Sequence, residues 1–271
     1  MTTTTEPAVP SDVPAPTAPP ASWLAWRAER DAALAEPHGW LSLTALHWLS
    51  ATPAAQGDLP GLWWSDARGI RVEPGDDRSL TLDGAPLTGP TVVWTDAGPA
   101  GVLRHGDRVV EPLSRGPLLR GLRVRDPHAP ALLAFTGVPV FTYDPAWRLE
   151  AAFVPAGAGR VVETGSVAAG VRHVQEVAGV VRFARDGAEH ALQVTGGDHP
   201  AIWFRDATNG VETAAFRVLP VAPRADGTVV LDLNRAENAP CAFSEHGTCP
   251  LPPAGNALPF PVRAGERAPA A

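Results

Sequence analysis

Apolar and polar residues alternate in different ways along this chain, and the changes mark its elements. From Ser22 to Pro37, SWLAWRAERDAALAEP is a run of good helix formers. Trp23, Trp26, Ala33 and Leu34 are placed to cover a neighbouring surface, with Ser22 as the expected N-cap and Pro37 as the stop. HGWLSLTALHWLS, residues 38–50, is apolar at both helical and strand spacing, and its Gly39 and aromatic content favour a strand. From about Gly61 the pattern becomes short strands and turns: 79–82 before Asp83-Gly84, then 91–95, then the alternating LLRGLRVR at 118–125. These segments read as one β layer, interrupted at DPHAPALLAF, 126–135, by a turn and a short helical piece.

The second half is more regular. WRLEAAFVP, 147–155, puts Trp147, Leu149, Ala151 and Phe153 on one face, the two-residue period of a half-buried strand. VRHVQEVAG, GVVRFARDG, EHALQVTGG and AIWFRDATN follow as strands between glycine-containing turns, and Asp226-Gly227 separates TAAFRVLPV from TVVLDLNRA. Strands so spaced predict a mainly β fold, an antiparallel β-barrel or sandwich with a short N-terminal helix and a proline-rich C-terminal flap. The expected division is a disordered tail at 1–21, the helix and first β layer at 22–125, and a C-terminal barrel or sandwich at 126–267 carrying the flap at 234–262.

Composition narrows the chemistry. Of the 271 residues 45% are hydrophobic, enough for a sizeable core, and the net charge of −7 is spread without runs of one sign. Neither a nucleic-acid stripe nor a basic membrane patch is present, so neither partner is expected. The first twenty residues are rich in Thr, Pro and Ala with no basic or apolar run, and nothing later approaches the ~18 apolar residues of a membrane span. A cytoplasmic location is the expectation. All 22 basic residues are arginine. Without lysine there is no phosphate-loop lysine, Schiff-base lysine or pyridoxal phosphate anchor, and HExxH, GxSxG, GxGxxG and CxxC are absent too.

One segment gathers what the rest of the chain lacks. NRAENAPCAFSEHGTCPLPPAGN, from residue 234, holds both cysteines and three of the four asparagines. Six prolines between Pro240 and Pro261 exclude a helix or a central strand, while Cys241, Phe243, Cys249, Leu251, Leu258 and Phe260 argue against disorder. An ordered flap against the β core follows, with Asn234, Asn238 and Asn256 supplying hydrogen bonds that an irregular backbone lacks. The thiols read either as small buried hydrophobes or as redox-active groups. No cofactor is expected. Zinc is the one metal that the C-x4-H-x2-C of Cys241, His246 and Cys249 would suit, but the fourth ligand and the usual tighter pairs are missing.

The stretch DLNRAENAPCAFSEHGTCPLPPAGNALPFPVRAGE resembles the C-terminal signature of an uncharacterised bacterial family, domain of unknown function 1684, with further likeness in FRDATNGVETAAF, LRGLRVRDPHAPALLAF and GWLSL. The resemblance implies no activity. It marks Asp206, Thr208, Asn209, Gly210 and Glu212, then Asp232, Asn234, Arg235, Asn238, Cys241, Cys249, Asn256, Arg263 and Glu266, as matching positions. The chain departs from the family at Ala215, Glu237, Gly255 and Ala257, which puts specificity in doubt if those positions line a site.

Asp206, Asn209 and Glu212 follow the strand AIWF, and Asp232, Asn234 and Arg235 follow VVL. If both strand ends share one rim, these residues, with Asn256 and Arg263, are the expected lining of a small-molecule pocket beside the flap. Turn chemistry is the competing reading, since Asp and Asn satisfy their own backbone. Cys241, His246 and Asp232 are the catalytic candidates. Three functions remain open: a small-molecule-binding β protein with or without catalysis, a structural or interaction module, and a thiol or metal enzyme using Cys241, His246 and Cys249.

Overall fold

The structure, a computed structural model, describes residues 18–76, 78–116 and 119–269. Of the expected tail, residues 1–17 lie outside the described residues, as do Pro117 and Leu118 at the start of the expected strand LLRGLRVR. The fold is mainly β, 43% strand and 12% helical. The N-terminal helix runs Ala21–Leu34 and buries Trp23 and Leu34. It begins one residue before the expected cap: Pro20 holds the N-cap position and no side chain caps the helix.

Residues 43–125 divide into two sheets rather than one layer. A six-stranded sheet runs in the order Leu43–Trp48, Arg120–Arg125, Arg108–Ser114, Leu103–His105, Leu80–Leu82 and Ala85–Pro86. A five-stranded sheet runs Ala54–Gln56, Leu59–Asp66, Gly69–Glu73, Thr91–Thr95 and Gly98–Pro99. They close on one core of Trp63, Ile70, Val72, Leu80, Val93, Leu103, Val110, Leu122 and Val124. Each strand is too short and too open on one face to be stable alone, so burial of the inner faces against each other is what holds both sheets.

The C-terminal half forms an eight-stranded antiparallel sheet. Its order is Thr228–Asp232, Arg148–Pro155, Arg172–Arg185, Ala188–Thr195, Ala201–Phe204, Arg217–Pro220 and Glu237–Asn238, with Val161–Gly165 paired to Arg172–Arg185. Its core includes Val181, Phe183, Val194, Ile202, Phe204, Val229, Leu231 and Leu233. The segments expected as two strands around Gly179 are one strand of 14 residues, Arg172–Arg185, with a register shift between Val177 and Gly179. Gly179 marks a close approach, not a turn: a Cβ there would stand 2.5 Å from the Phe153 ring and from the Val154 carbonyl.

Residues 234–262 cross this sheet with little regular structure, a two-stranded pairing at Glu237–Asn238 and a single turn at Pro240–Ala242. Asn238, Ala239, Thr248, Cys249, Asn256, Leu258 and Val262 are buried along it. Among the described residues, no helix is long and apolar enough to cross a membrane.

Candidate functional site

The alternation of Arg120–Arg125 builds one wall of a cleft between the two halves. Leu122 and Val124 point into the N-terminal core, so Arg123 and Arg125 must emerge on the opposite face. There both guanidinium groups lie over Trp40, at 5.3 and 4.8 Å from its ring centre. Glu111, directly across the sheet from Arg123, accepts from Arg123 at 3.3 Å and from Arg125 Nε at 2.8 Å. Arg115 enters just beyond the end of Arg108–Ser114.

Arg115 and Arg123 converge on one hydroxyl of the opposing half. Arg115 Nε donates to Thr248 Oγ1 at 2.8 Å and Arg123 Nη2 to the same oxygen at 2.9 Å. With both lone pairs taken, the Thr248 hydroxyl can use its proton only as a donor to something else. Arg123 also has its Nε buried without a partner among the described residues, and Arg115 makes no ion pair with a carboxylate among them. Burial is the first cause lowering both guanidinium pKa values; the charge of Arg123 lowers Arg115 further and that of Arg125 lowers Arg123, while Glu111 pulls both the other way.

The cleft enclosed by these groups has a volume of about 400 Å³. Trp40, Trp203, Val218, Pro240 and Pro250 supply its apolar walls, and Arg30, His173, Glu237 and Cys249 complete the polar lining. His173 Nε2 is buried without a partner among the described residues. Burial lowers its pKa against the opposing pull of a hydrogen bond to the Thr248 backbone, and the charge of Arg115 lowers it further, so the neutral imidazole is favoured at neutral pH. Arg30 is already engaged, by Glu266 at 2.9 Å and Glu237 at 3.5 Å.

Cys249 is buried on the same wall, and the backbone N–H of Cys241 donates to its Sγ at 3.3 Å. Gly247 makes this fold-back fit, since a Cβ there would press within 3.0 Å of Cys241 Cβ. The two thiols are free. Their mutual interaction is the first cause lowering Cys249, against burial and with help from the Cys241 amide and the charges of Arg123 and Arg115; it raises Cys241, and burial adds to the rise.

The residues singled out from the sequence do not gather on one rim. Asp206 is buried against Arg217 at 2.7 Å and accepts from Thr208 and from the Val262 amide, so it organises a loop and the irregular segment at Val262. Asn209 closes the same loop, accepting from the Asp206 amide at 2.7 Å and donating to Thr213 and Ala214. Glu212 pairs with Arg263 at 2.9 Å on the surface. Asn256 binds both backbone groups of Gln193 and the Trp203 carbonyl. Asn234 binds both backbone groups of Asp144, while its own carbonyl accepts from the Trp23 indole.

Asp232 and Arg235, 3.5 Å apart, line a separate depression with Ser22, Tyr143 and Arg148. His246 is near enough to His47 for its charge to add to the lowering of the His47 pKa by burial. Among the described residues no three of the His, Cys, Asp and Glu side chains come together as metal ligands, so the C-x4-H-x2-C spacing of Cys241, His246 and Cys249 does not fold into a ligand set. The expected pocket beside the flap is therefore displaced: flap residues 237–240 and 248–250 line the cleft, and the other wall comes from Arg30, Trp40, Arg115 and Arg123. Sequence reasoning missed those four. The available signal was LRGLRVR, where Arg123 and Arg125 occupy the face opposite Leu122 and Val124 in a strand interior instead of solvent-facing turns.

Comparisons with known proteins bear on the C-terminal half. The family model described as "Protein of unknown function (DUF1684)" matches residues 133–267. A protein of Haloarcula marismortui, described as uncharacterized and solved by solution NMR, is 29% identical, covering 49% of this chain and 77% of its own, with a TM-score of 0.42. No curated protein matches the chain. The matched span contains Trp203, His173, the flap and both thiols, whereas Arg115 and Arg123 lie before it. Residues 133–267 of this chain therefore match the DUF1684 family, whose function is unknown.

Proposed function

We propose that the cleft binds a small organic anion, a carboxylate or phosphate ester carried on an apolar body, and that the chain is a small-molecule-binding β protein. One observation carries this reading: Arg115 is half-buried, has no carboxylate partner among the described residues, and shares Thr248 with the buried Arg123. A desolvated guanidinium is costly without a counter-charge, and a forked donor matches a planar carboxylate or a phosphate. The Thr248 hydroxyl adds a donor, neutral His173 adds a group able to donate or accept, and Trp40 and Trp203 offer apolar walls of the kind ligand sites use.

The test is thermal denaturation with succinate and glycerol phosphate, against succinamide and glycerol as uncharged counterparts. Only the anions should raise Tm, by the equivalent of about 2.7 kcal/mol at a hundred times Kd, and added salt should weaken the effect. Arg115→Gln should abolish the rise while the chain still folds. A folded wild-type chain whose Tm responds to none of these anions would overturn the reading.

A further inference from the structure

The thiol pair stands between two cavities. Cys249 faces the arginine cleft, while Cys241 lines a second cavity of about 310 Å³ with Val167, Phe216, Ser244 and Glu245. The geometry points to a dithiol redox centre in which Cys249 attacks a small hydroperoxide admitted to the cleft and Cys241 resolves the product to a disulfide. This goes beyond anion binding, although it uses the same cleft wall.

The roles follow from position. Arg115 and Arg123 are fixed on Thr248, the residue before Cys249, so positive charge is held beside the sulfur that must be a thiolate and beside the oxygen that must leave as an anion. With a relative exposure of 7%, Cys249 is closed to bulky disulfides, which need in-line access to sulfur, but open to a small electrophile from the cleft. Cys249 and burial both push the Cys241 thiol up, which leaves Cys249 as the attacking sulfur and Cys241 as the one that follows. The backbone nitrogen of Cys241 stands 3.3 Å from Cys249 Sγ, so the two residues already touch where the bond must form.

In the first step the Cys249 thiolate donates an electron pair to the terminal peroxide oxygen. The O–O bond breaks, Cys249 becomes a sulfenic acid, and the departing alkoxide or hydroxide takes a proton from water. In the second, Cys241 sulfur bonds to Cys249 sulfur, the S–O bond breaks, and the departing hydroxide accepts the Cys241 proton to form water. The two thiols have then supplied the two electrons that reduce the peroxide. A small dithiol reductant restores them by exchange, entering through the cavity at Cys241.

Because the chain has only two cysteines, thiol counting is unambiguous. The full-length reduced chain is treated with hydrogen peroxide in anion-free buffer, and free thiols are followed with time. We expect one peroxide to remove both thiols, at least ten times faster than it oxidises free cysteine, with mass spectrometry showing an intramolecular Cys241–Cys249 disulfide that dithiothreitol reverses. Cys241→Ser should stop at a sulfenic acid on Cys249, captured by dimedone, and Cys249→Ser should lose the fast reaction. Wild-type thiols no faster than free cysteine, or fast oxidation without the disulfide, would overturn the proposal even if neither variant folds. Anion binding is read from Tm in reduced protein, so either proposal can fail without the other.

Discussion

Glu237 shows how much a single side chain can carry here. It stands where the resembling family usually has tyrosine, and it lies between the Trp26 indole and Arg30 at the edge of the cleft. Burial raises its pKa, Arg30 opposes the rise, and the nearby carboxylate of Glu266 adds to it. A raised carboxyl holds its proton more tightly folded than unfolded. Its contribution to stability is therefore fully present below the usual value of 4.5 and is lost as pH rises through the folded value. Glu237→Gln keeps the size and a polar tip while Arg30 keeps Glu266. In urea denaturation from pH 4 to 8, the variant should gain on the wild type as pH rises above 4.5; a difference that is constant with pH would refute this account.

The same scale explains which site residues could be read in advance. Asn234 and Asn256 are expected to repair the flap's own backbone, but each bonds both backbone groups of a residue outside the flap, Asp144 and the strand residue Gln193, so these amides tie the flap down. Asp206 was not separable from a pocket residue by sequence, because a carboxylate that braces a loop and one that binds a ligand look alike until their partners are known. Its partner, Arg217, is eleven positions away and lies inside a strand.

At the level of elements, Arg217 and Asn256 show how the flap and the C-terminal segment are fastened to the sheet. Arg217 is fully buried and donates to the carbonyls of Val262 and Ala264 as well as to Asp206. Removing one member of a buried pair leaves the other charge uncompensated, which costs about 3–5 kcal/mol. Asp206→Ala should lower the urea midpoint by that order. Asn256→Ala deletes three hydrogen bonds to buried backbone and should cost about 1–3 kcal/mol, with faster proteolysis confined to residues 250–262. Loss of Asp206 with no more than ~1 kcal/mol of destabilisation would contradict this picture of the anchor.

Element type was legible where the period was clean. Residues 147–155 alternate, and Arg148–Pro155 is a strand; the helix from Ala21 and the short helix Pro130–Leu133 fall where their residues indicate. Failures came where local sequence does not carry the deciding contact. Gly179 reads as a turn until the Phe153 ring that crosses it is seen, and the separation of 43–125 into two sheets depends on which strand edges meet.

On the scale of the molecule, the cleft is where two β units meet, and this made the site hard to foresee. Its cationic wall and its thiol wall are more than 100 positions apart in sequence, and no local motif reports such a pairing. The units are joined by Arg115 and Arg123 on Thr248, by Ser244 on the Leu43 carbonyl, by Trp23, Trp26, Arg27 and Arg30 of the helix on the C-terminal half, and by an apolar cluster in which Leu34 and Leu41 pack with Val138 and Phe243. Each unit has its own core, so the cooperativity of unfolding depends on these bridges. Thr248→Val preserves volume but removes the acceptor shared by the buried Arg123 and the half-buried Arg115. In scanning calorimetry the wild type should unfold in one transition with equal calorimetric and van't Hoff enthalpies. Thr248→Val should lower Tm and broaden or split that transition, because each core then melts with less reference to the other. A single sharp transition at a reduced Tm would place the coupling in the N-terminal helix instead, and Arg30→Met would then be the variant that separates the two units.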